Sequence, residues 1–137
     1  LCPQGRIIAV ERDEDVANLI RRNCDRFEVE NVQVIEGSAP ECLKDLPDPP
    51  SRVCLEGAKP IKSLLKEVWN YLQPNGRVVA TAGNLENLYA ISETFSELQV
   101  RNIEVVQTSM NRLETRGRNQ IFAAIDPIFI LSGEKID

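Results

Sequence analysis

The sequence predicts an α/β fold: a doubly wound, mostly parallel sheet that ends in a C-terminal antiparallel hairpin. Short apolar segments rich in β-branched residues alternate with amphipathic helical segments as far as Leu98. Two strand-like segments then follow each other with no helix between them. Parallel strands need a long crossover, whereas antiparallel strands need only a turn. This order therefore predicts helix-covered parallel strands with a hairpin at one edge.

Size and charge predict one domain spanning residues 1–137. The chain has 137 residues, of which 42% are hydrophobic and 27% charged, with a net charge of −5. No apolar stretch approaches the ~20 residues of a membrane-spanning helix. The acidic balance disfavours a broad nucleic-acid surface, which usually needs an excess of Lys and Arg. We therefore expect a cytoplasmic protein that binds neither membranes nor nucleic acids.

The cysteine pattern predicts no metal site. The chain has four cysteines and no histidine, and no two cysteines form a Cys-x-x-Cys pair. The absence of histidine also argues against a His-based catalytic triad. We predict reduced cysteines in the core or near the surface, namely Cys2, Cys24, Cys42 and Cys54.

The first half of the chain predicts three strands and two helices before residue 56. Strands are expected at 6–10, 32–35 and 52–55, each an apolar run closed by an acidic residue. Asp13 should cap the first helix. Its core-facing stripe should comprise Val16, Leu19, Ile20, Asn23, Cys24 and Phe27. The segment 38–41 has the form of a capped helix start with proline in the first turn.

The second half predicts two amphipathic helices, a strand at 77–82 and the hairpin. The first helix should bury Ile61, Leu64, Leu65, Val68, Trp69 and Leu72. Asn84 should cap the second helix, which should bury Leu85, Leu88, Tyr89, Ile91, Phe95 and Leu98. Strands at about 103–111 and 120–132 should be joined by a polar loop over 112–119. Pro127 lies inside the last strand and predicts an edge position or a bulge.

Four motifs in this order resemble those of a known family. They are IAVERD at 8–13, EGSAPE at 36–41, LQPNGR at 72–77 and DPIFILSG at 126–133. Together they resemble the decarboxylating precorrin-6Y methyltransferases, which are Rossmann-like enzymes dependent on S-adenosylmethionine. The resemblance implies methylation of a precorrin at ring carbon 15, with decarboxylation of a ring acetate, in cobalamin biosynthesis.

The spacing around Glu11 departs from the family. There, a glycine-rich loop after the first strand precedes an acidic residue by about 20 positions. We therefore expect the chain to be a fragment that starts at the family's second strand. The strands at 7–10 and 53–55 would then lack their shared neighbour and could pair directly, be covered by a second copy, or promote aggregation. We expect the second copy, hence a homo-oligomer.

The resemblance implies a cofactor site at the ends of three strands. Glu11 would accept hydrogen bonds from the ribose of S-adenosylmethionine; alternatively, it is a solvated charge. Ser38 would contact the adenine; alternatively, it caps a helix. The loop of Gly57 and Ala58 would lie near the methyl donor. The expected cofactor residues are Glu11, Arg12, Ser38, Ala39, Glu56 and Gly57.

The predicted hairpin loop supplies candidate substrate contacts. A precorrin carries many carboxylates, which Arg side chains can bind in bidentate fashion. Alternatively, the loop is ordinary solvated surface. The candidates are Asn111, Arg112, Arg116 and Arg118. No residue of the sequence is identified as a general acid.

Two other functions fit the same sequence. The chain could be a methyltransferase of the same fold that acts on a tRNA or a protein side chain. It could also be a non-catalytic, oligomerising fragment of such an enzyme.

Overall fold

The computed structural model describes residues 3–57 and 59–137, so the predictions for Cys2 and Ala58 lie outside the described residues. Within these residues the structure has six strands and three α-helices, all at predicted places, and a 3₁₀ helix where a fourth helix was predicted. In chain order the elements are β1 (Ile7–Glu11), α1 (Glu14–Arg26), β2 (Val32–Glu36), a 3₁₀ helix (Glu41–Asp45), β3 (Arg52–Leu55), α2 (Ile61–Tyr71), β4 (Arg77–Ala82), α3 (Leu85–Glu97), β5 (Arg101–Arg116) and β6 (Asn119–Glu134).

The strands form two sheets. β1 and β2 make a parallel pair in which Ile7 lies opposite Val32 and Glu11 opposite Glu36. The second sheet has the order β3-β4-β6-β5, with β3 and β4 parallel and the remaining pairs antiparallel. Parallel strands with a hairpin at one edge confirm the predicted α/β class.

The chain divides into two compact units, Leu1–Pro49 and Pro50–Asp137, each holding one of the sheets. No helix in the described part of either unit is long and apolar enough to cross a membrane.

In the first unit, α1 begins where its cap was predicted. The Asp13 carboxylate accepts hydrogen bonds from the backbone N–H groups of Asp15, at 2.9 Å, and Val16, at 3.1 Å. The predicted core stripe of α1 is wrong, because only Ala17 is buried. Leu19 is 48% exposed and Phe27 69% exposed. A sheet of two short strands offers too little surface to cover a stripe of that width.

The helix predicted from Ser38 is also wrong. The segment instead forms a single 3₁₀ stretch over Glu41–Asp45, with Pro40 at its N-cap position and no side-chain cap. Ser38 contributes its backbone carbonyl, which accepts from the Cys42 N–H at 3.0 Å. Gly37 is tightly packed, since a Cβ there would lie 2.9 Å from the Cys42 Cβ. The short run to Pro47 leaves no room for longer α-helical turns.

In the second unit, α2 packs on α3, and α3 packs on β4 and β6. The buried set comprises Leu55, Ile61, Leu64, Leu65, Val68, Leu72, Val78, Ala80, Ala82, Ile91, Thr94, Phe95, Val100 and Leu131. Asn84 caps α3 as predicted, accepting from the Asn87 N–H at 2.8 Å. The predicted burial of Leu85 and Tyr89 is wrong: they are 75% and 66% exposed. The α3 core contacts come instead from its second half.

The hairpin is longer than predicted and its loop is shorter. β5 and β6 have 16 residues each and are joined by Gly117 and Arg118 alone, with Gly117 at φ +63°. The predicted loop over 112–119 is therefore wrong. The ends of β5 and β6 next to the turn are exposed to solvent on both faces, so polar residues dominate there. The sequence therefore lacks the apolar alternation that usually indicates a strand.

Pro127 occupies both of its predicted settings, an edge position and a bulge. β6 pairs with β4 only from Phe129 to Glu134, so around Pro127 its one ladder partner among the described residues is β5. The β5–β6 register shifts between Thr108 and Met110, whose partners are Ile128 and Ile125. Asp126 and Pro127 therefore lie opposite Ser109 alone, where the missing proline N–H breaks no ladder pair.

Candidate functional site

The carboxyl ends of β1 and β2 bring four predicted site residues to one edge of the first unit. Glu11 is the last residue of β1, and its backbone carbonyl accepts from the Gly37 N–H at 3.0 Å. Ser38 follows Gly37 directly, so Glu11, Arg12, Ser38 and Ala39 share this edge. The parallel pairing of β1 with β2 produces this proximity, since parallel strands end on the same side.

The Glu11 side chain is half-buried and held by the turn that follows it. Its Oε1 atom accepts from the Asp13 backbone N–H at 2.9 Å. Glu11 forms no ion pair within the described part of the chain, whereas the neighbouring Glu36 binds Arg21. The Glu11 carboxylate is therefore held in position at this edge, and its oxygens can accept further hydrogen bonds.

Ser38 is exposed, and its hydroxyl makes no described hydrogen bond; Ala39 is half-buried and Arg12 is exposed. The side-chain cap that was the alternative role for Ser38 is absent. The hydroxyl is thus free to donate or accept one hydrogen bond.

These residues fit the adenosine part of S-adenosylmethionine. A carboxylate at the end of a parallel strand suits a ribose diol, because each carboxylate oxygen can accept a hydroxyl hydrogen. Glu11 meets this requirement, since the contact from Asp13 uses only one of its acceptor positions. A hydroxyl and a small side chain at 38–39 suit a flat, polar-edged ring such as adenine.

Glu56 and Gly57 lie at the carboxyl end of β3, in the second unit. Both are exposed, and Gly57 has φ +61° with no atom within 4 Å of a built Cβ. The glycine is required here by its left-handed conformation rather than by crowding.

The predicted substrate residues do not lie in one loop. Asn111, Arg112 and Arg116 belong to β5, and only Arg118 lies in the turn. Neighbouring strand residues point to opposite faces, so Asn111 and Arg112 cannot share one pocket wall. Arg116 is additionally bonded to Glu114 at 3.1 Å. The predicted cluster of these residues in one loop is therefore wrong. Arg112 and Arg116 lie on one face of β5, Asn111 lies on the other face, and Arg118 lies in the turn.

The second unit contains a cavity of about 450 Å³ that the sequence did not indicate. Its lining comes from the end of α3 and the start of β5, and includes Phe95, Gln99 and Arg101. Arg101 pairs with Glu134, which pairs with Arg77, so the cavity lies at the amino end of β4. None of the predicted site residues lines it. The lining residues form no motif, so no sequence signal could have found it.

The described cysteines are unpaired, and the buried Cys42 is poorly reactive. Cys24, Cys42 and Cys54 are free thiols, as predicted for this part of the chain. Burial raises the pKa of the Cys42 thiol, which keeps it protonated and poorly nucleophilic. Among the described residues there is no cluster that could hold a metal ion.

Comparison with solved structures defines the class of protein. An S-adenosylmethionine-dependent O-methyltransferase from Thermotoga maritima aligns with a TM-score of 0.77 at 15% identity, over 98% of this chain and 51% of that one. The chain has the fold of class I S-adenosylmethionine-dependent methyltransferases.

Closer matches define the family. A family model described as a precorrin methyltransferase domain matches residues 2–135, and the chain belongs to this family. A probable cobalt-precorrin-6B C(15)-methyltransferase (decarboxylating) from Sulfolobus acidocaldarius is 30% identical, over 96% of this chain and 68% of that protein. The crystal structure of a precorrin-6Y C5,15-methyltransferase from Geobacter metallireducens aligns with a TM-score of 0.85 at 30% identity, covering 97% and 69%.

A cobalt-precorrin-6B C(15)-methyltransferase (decarboxylating) from Salmonella typhimurium is 25% identical, over 97% of this chain and 68% of that protein. The chain thus spans about two thirds of the length of these relatives.

Proposed function

We propose that this chain belongs to an enzyme that methylates ring carbon 15 of a precorrin, with decarboxylation of a ring acetate, in cobalamin biosynthesis. The observation that carries the proposal is the family match over residues 2–135. The relatives named for this reaction in Sulfolobus acidocaldarius and Salmonella typhimurium support it.

S-adenosylmethionine would supply an electrophilic methyl group bound to a sulfonium. Glu11 would accept hydrogen bonds from the ribose hydroxyls, and Ser38 would bond to the exocyclic amine of adenine, with Arg12 and Ala39 beside them. Glu56 and Gly57 would form the wall near the donor. These roles require orientation and exclusion of water rather than a strong base, which suits a chain without histidine.

The hairpin arginines would bind substrate carboxylates. Arg112 and Arg116 are four residues apart on β5 and share a face, and Arg118 follows in the turn. Asn111 lies on the other face of β5, so it would not contact the substrate together with Arg112 and Arg116. Electrons released by decarboxylation would be taken up by the macrocycle, and the protein's part would be positioning.

Titration calorimetry with S-adenosylhomocysteine tests the cofactor assignment. We expect binding, and we expect Glu11→Gln to weaken it about tenfold, because the ribose loses a charged acceptor. The matched control is Glu30→Gln, an exposed glutamate that follows α1. The full-length Sulfolobus acidocaldarius relative serves as the positive control. If that relative binds and this chain does not, the cofactor assignment is wrong for this chain.

We further propose a cytoplasmic homo-oligomer that does not act on nucleic acid. The net charge of −5 supports the exclusion of nucleic acid. The many exposed apolar side chains support association between copies, including Phe27 at 69% and Phe122 at 78% exposed.

A further inference from the structure

The cavity at the end of α3 and the start of β5 has the apolar lining of a small-molecule site. Its volume is about 450 Å³, and ligand sites commonly measure about 300–1,000 Å³. Phe95 and Val100 are buried in its lining, and Ile103 adds a side chain that is 47% exposed. Apolar surface of this kind, combined with a few polar groups, is typical of sites that bind small organic molecules.

The polar side chains of the lining are free to bind a ligand. Ser92 and Ser96 are four residues apart on α3 and so lie on the same side of the helix, while Gln99 and Arg101 follow the helix. All four residues are exposed, and their side chains make no hydrogen bond or ion pair with the described part of the chain. Their hydroxyl, amide and guanidinium groups are therefore open to a partner.

Arg101 gives the cavity a positive charge that no described carboxylate neutralises. It is the one charged residue among the described lining residues. Its pairing with Glu134 is a pairing of backbone positions in the β5–β6 ladder. The Glu134 carboxylate binds Arg77 and Asn102 instead. The charge of the lining therefore complements an anion, and a guanidinium is best matched by a carboxylate or another planar oxyanion.

We propose that this cavity binds a small organic carboxylate with an apolar body. The guanidinium of Arg101 donates hydrogen bonds to both carboxylate oxygens, because its planar fork matches their spacing. The body of the ligand covers Ile103 and the surface at Phe95, which removes apolar area from water. Ser96 and Gln99 can donate further hydrogen bonds to the ligand.

The proposed site is separate from the expected cofactor and substrate residues. The cavity lies at the amino end of β4, whereas Glu56 and Gly57 follow the carboxyl end of β3, which runs parallel to β4. None of the residues assigned to S-adenosylmethionine or to the precorrin lines the cavity. The carboxylate is therefore a further ligand, and its binding does not depend on the proposed function.

A pair of probes tests the role of Arg101. Titration calorimetry compares naphthoate, an aromatic carboxylate, with its neutral analogue naphthamide. We expect the wild-type chain to bind naphthoate at least about tenfold more tightly, since only the carboxylate gains charged hydrogen bonds. Arg101→Gln should weaken naphthoate binding about tenfold and leave naphthamide binding unchanged. The matched control is Arg22→Gln, at an exposed arginine of the first unit, which should change neither affinity.

Ile103→Ser tests the apolar contact and should weaken the binding of both probes about threefold, because it removes apolar surface from the site. Circular dichroism confirms that each variant is folded. The proposal is overturned if the wild-type chain does not bind naphthoate, if both probes bind equally, or if the Arg101 and Arg22 variants lose equal affinity. S-adenosylhomocysteine titrated into the same samples tests the cofactor assignment separately.

Protection from alkylation tests the location of the site. Ser96→Cys places an exposed thiol in the lining of the cavity. Naphthoate at ten times its dissociation constant should slow alkylation of this thiol by iodoacetamide about tenfold, since a bound ligand covers it. Cys54, which is exposed on β3 outside the cavity, is the internal control and should react at an unchanged rate. Unprotected reaction of the introduced thiol, or equal slowing at Cys54, would contradict the location.

Discussion

Gly133 lies on β6 where the strand packs tightly against the segment that follows α3. A Cβ at this position would overlap the Cγ1 atom of Val100 and lie 3.2 Å from the Arg101 carbonyl oxygen. We expect Gly133→Ala to lower the free energy of unfolding by about 1–3 kcal/mol, since Val100 is buried and the backbone cannot yield. Urea unfolding measures the change. Gly83→Ala, with no atom within 4 Å of its built Cβ, should stay within about 1 kcal/mol of wild type.

Lys135 caps the C-terminal end of α2 with its side chain. Its Nζ donates to the backbone carbonyls of Trp69, at 2.7 Å, and Leu72, at 2.9 Å. A cation at this end also interacts favourably with the helix dipole. We expect Lys135→Met to lower the free energy of unfolding by about 1–2 kcal/mol. Lys44→Met, at an exposed lysine without a described hydrogen bond, should change it far less; equal losses would refute this role.

At the scale of elements, α2 and α3 are linked by a group of exposed ion pairs. Lys62 binds Glu93, at 2.8 Å, and Glu97, at 3.0 Å, while Lys66 also binds Glu97. The hydrogen bonds from Lys66 and Lys62 lower the pKa of Glu97 below its ordinary value of 4.5. A carboxylate with a lowered pKa stabilises the fold above its unfolded pKa and loses this contribution as pH falls through its folded pKa.

We therefore expect the Tm to fall as the pH drops below about 4.5, and Glu97→Gln to make that fall shallower. The effect should shrink in high salt, because exposed pairs are screened. Thermal unfolding followed by circular dichroism over a pH series at two salt concentrations measures both trends. Glu86→Gln, at an exposed glutamate in the first turn of α3, is the matched control. An identical pH profile for the Glu97 variant and wild type would argue against this contribution.

At the scale of the molecule, the single domain expected over residues 1–137 remains a prediction. The first compact unit ends at Pro49, and a segment of about 50 residues is only marginally stable as an independent domain. We predict one cooperative unfolding transition. Trp69 is the sole tryptophan and reports on the second unit, whereas far-ultraviolet circular dichroism includes α1 of the first. Coincident urea curves from the two probes are expected; separated midpoints would indicate two domains.

Much of the fold followed from local signals in the sequence. The caps at Asp13 and Asn84 occur where predicted, because each cap depends only on a side chain and the next few N–H groups. The strand and helix order also followed, since apolar periodicity is local. The exposed stripe of α1 could not be predicted, because periodicity shows which face is apolar but not whether anything covers it.

For the site, the sequence by itself determined that an acidic residue ends β1 and that small and polar residues follow β2. Only the tertiary structure decided that Glu11 and Ser38 share an edge, because the parallel pairing joins positions distant in the chain. The tertiary structure also decided that Arg112 and Arg116 lie on a strand rather than in a loop. A strand that is exposed on both faces has no apolar alternation in its sequence. Such a strand can be recognised only from its hydrogen-bonded pairing with a neighbouring strand, which the tertiary structure shows.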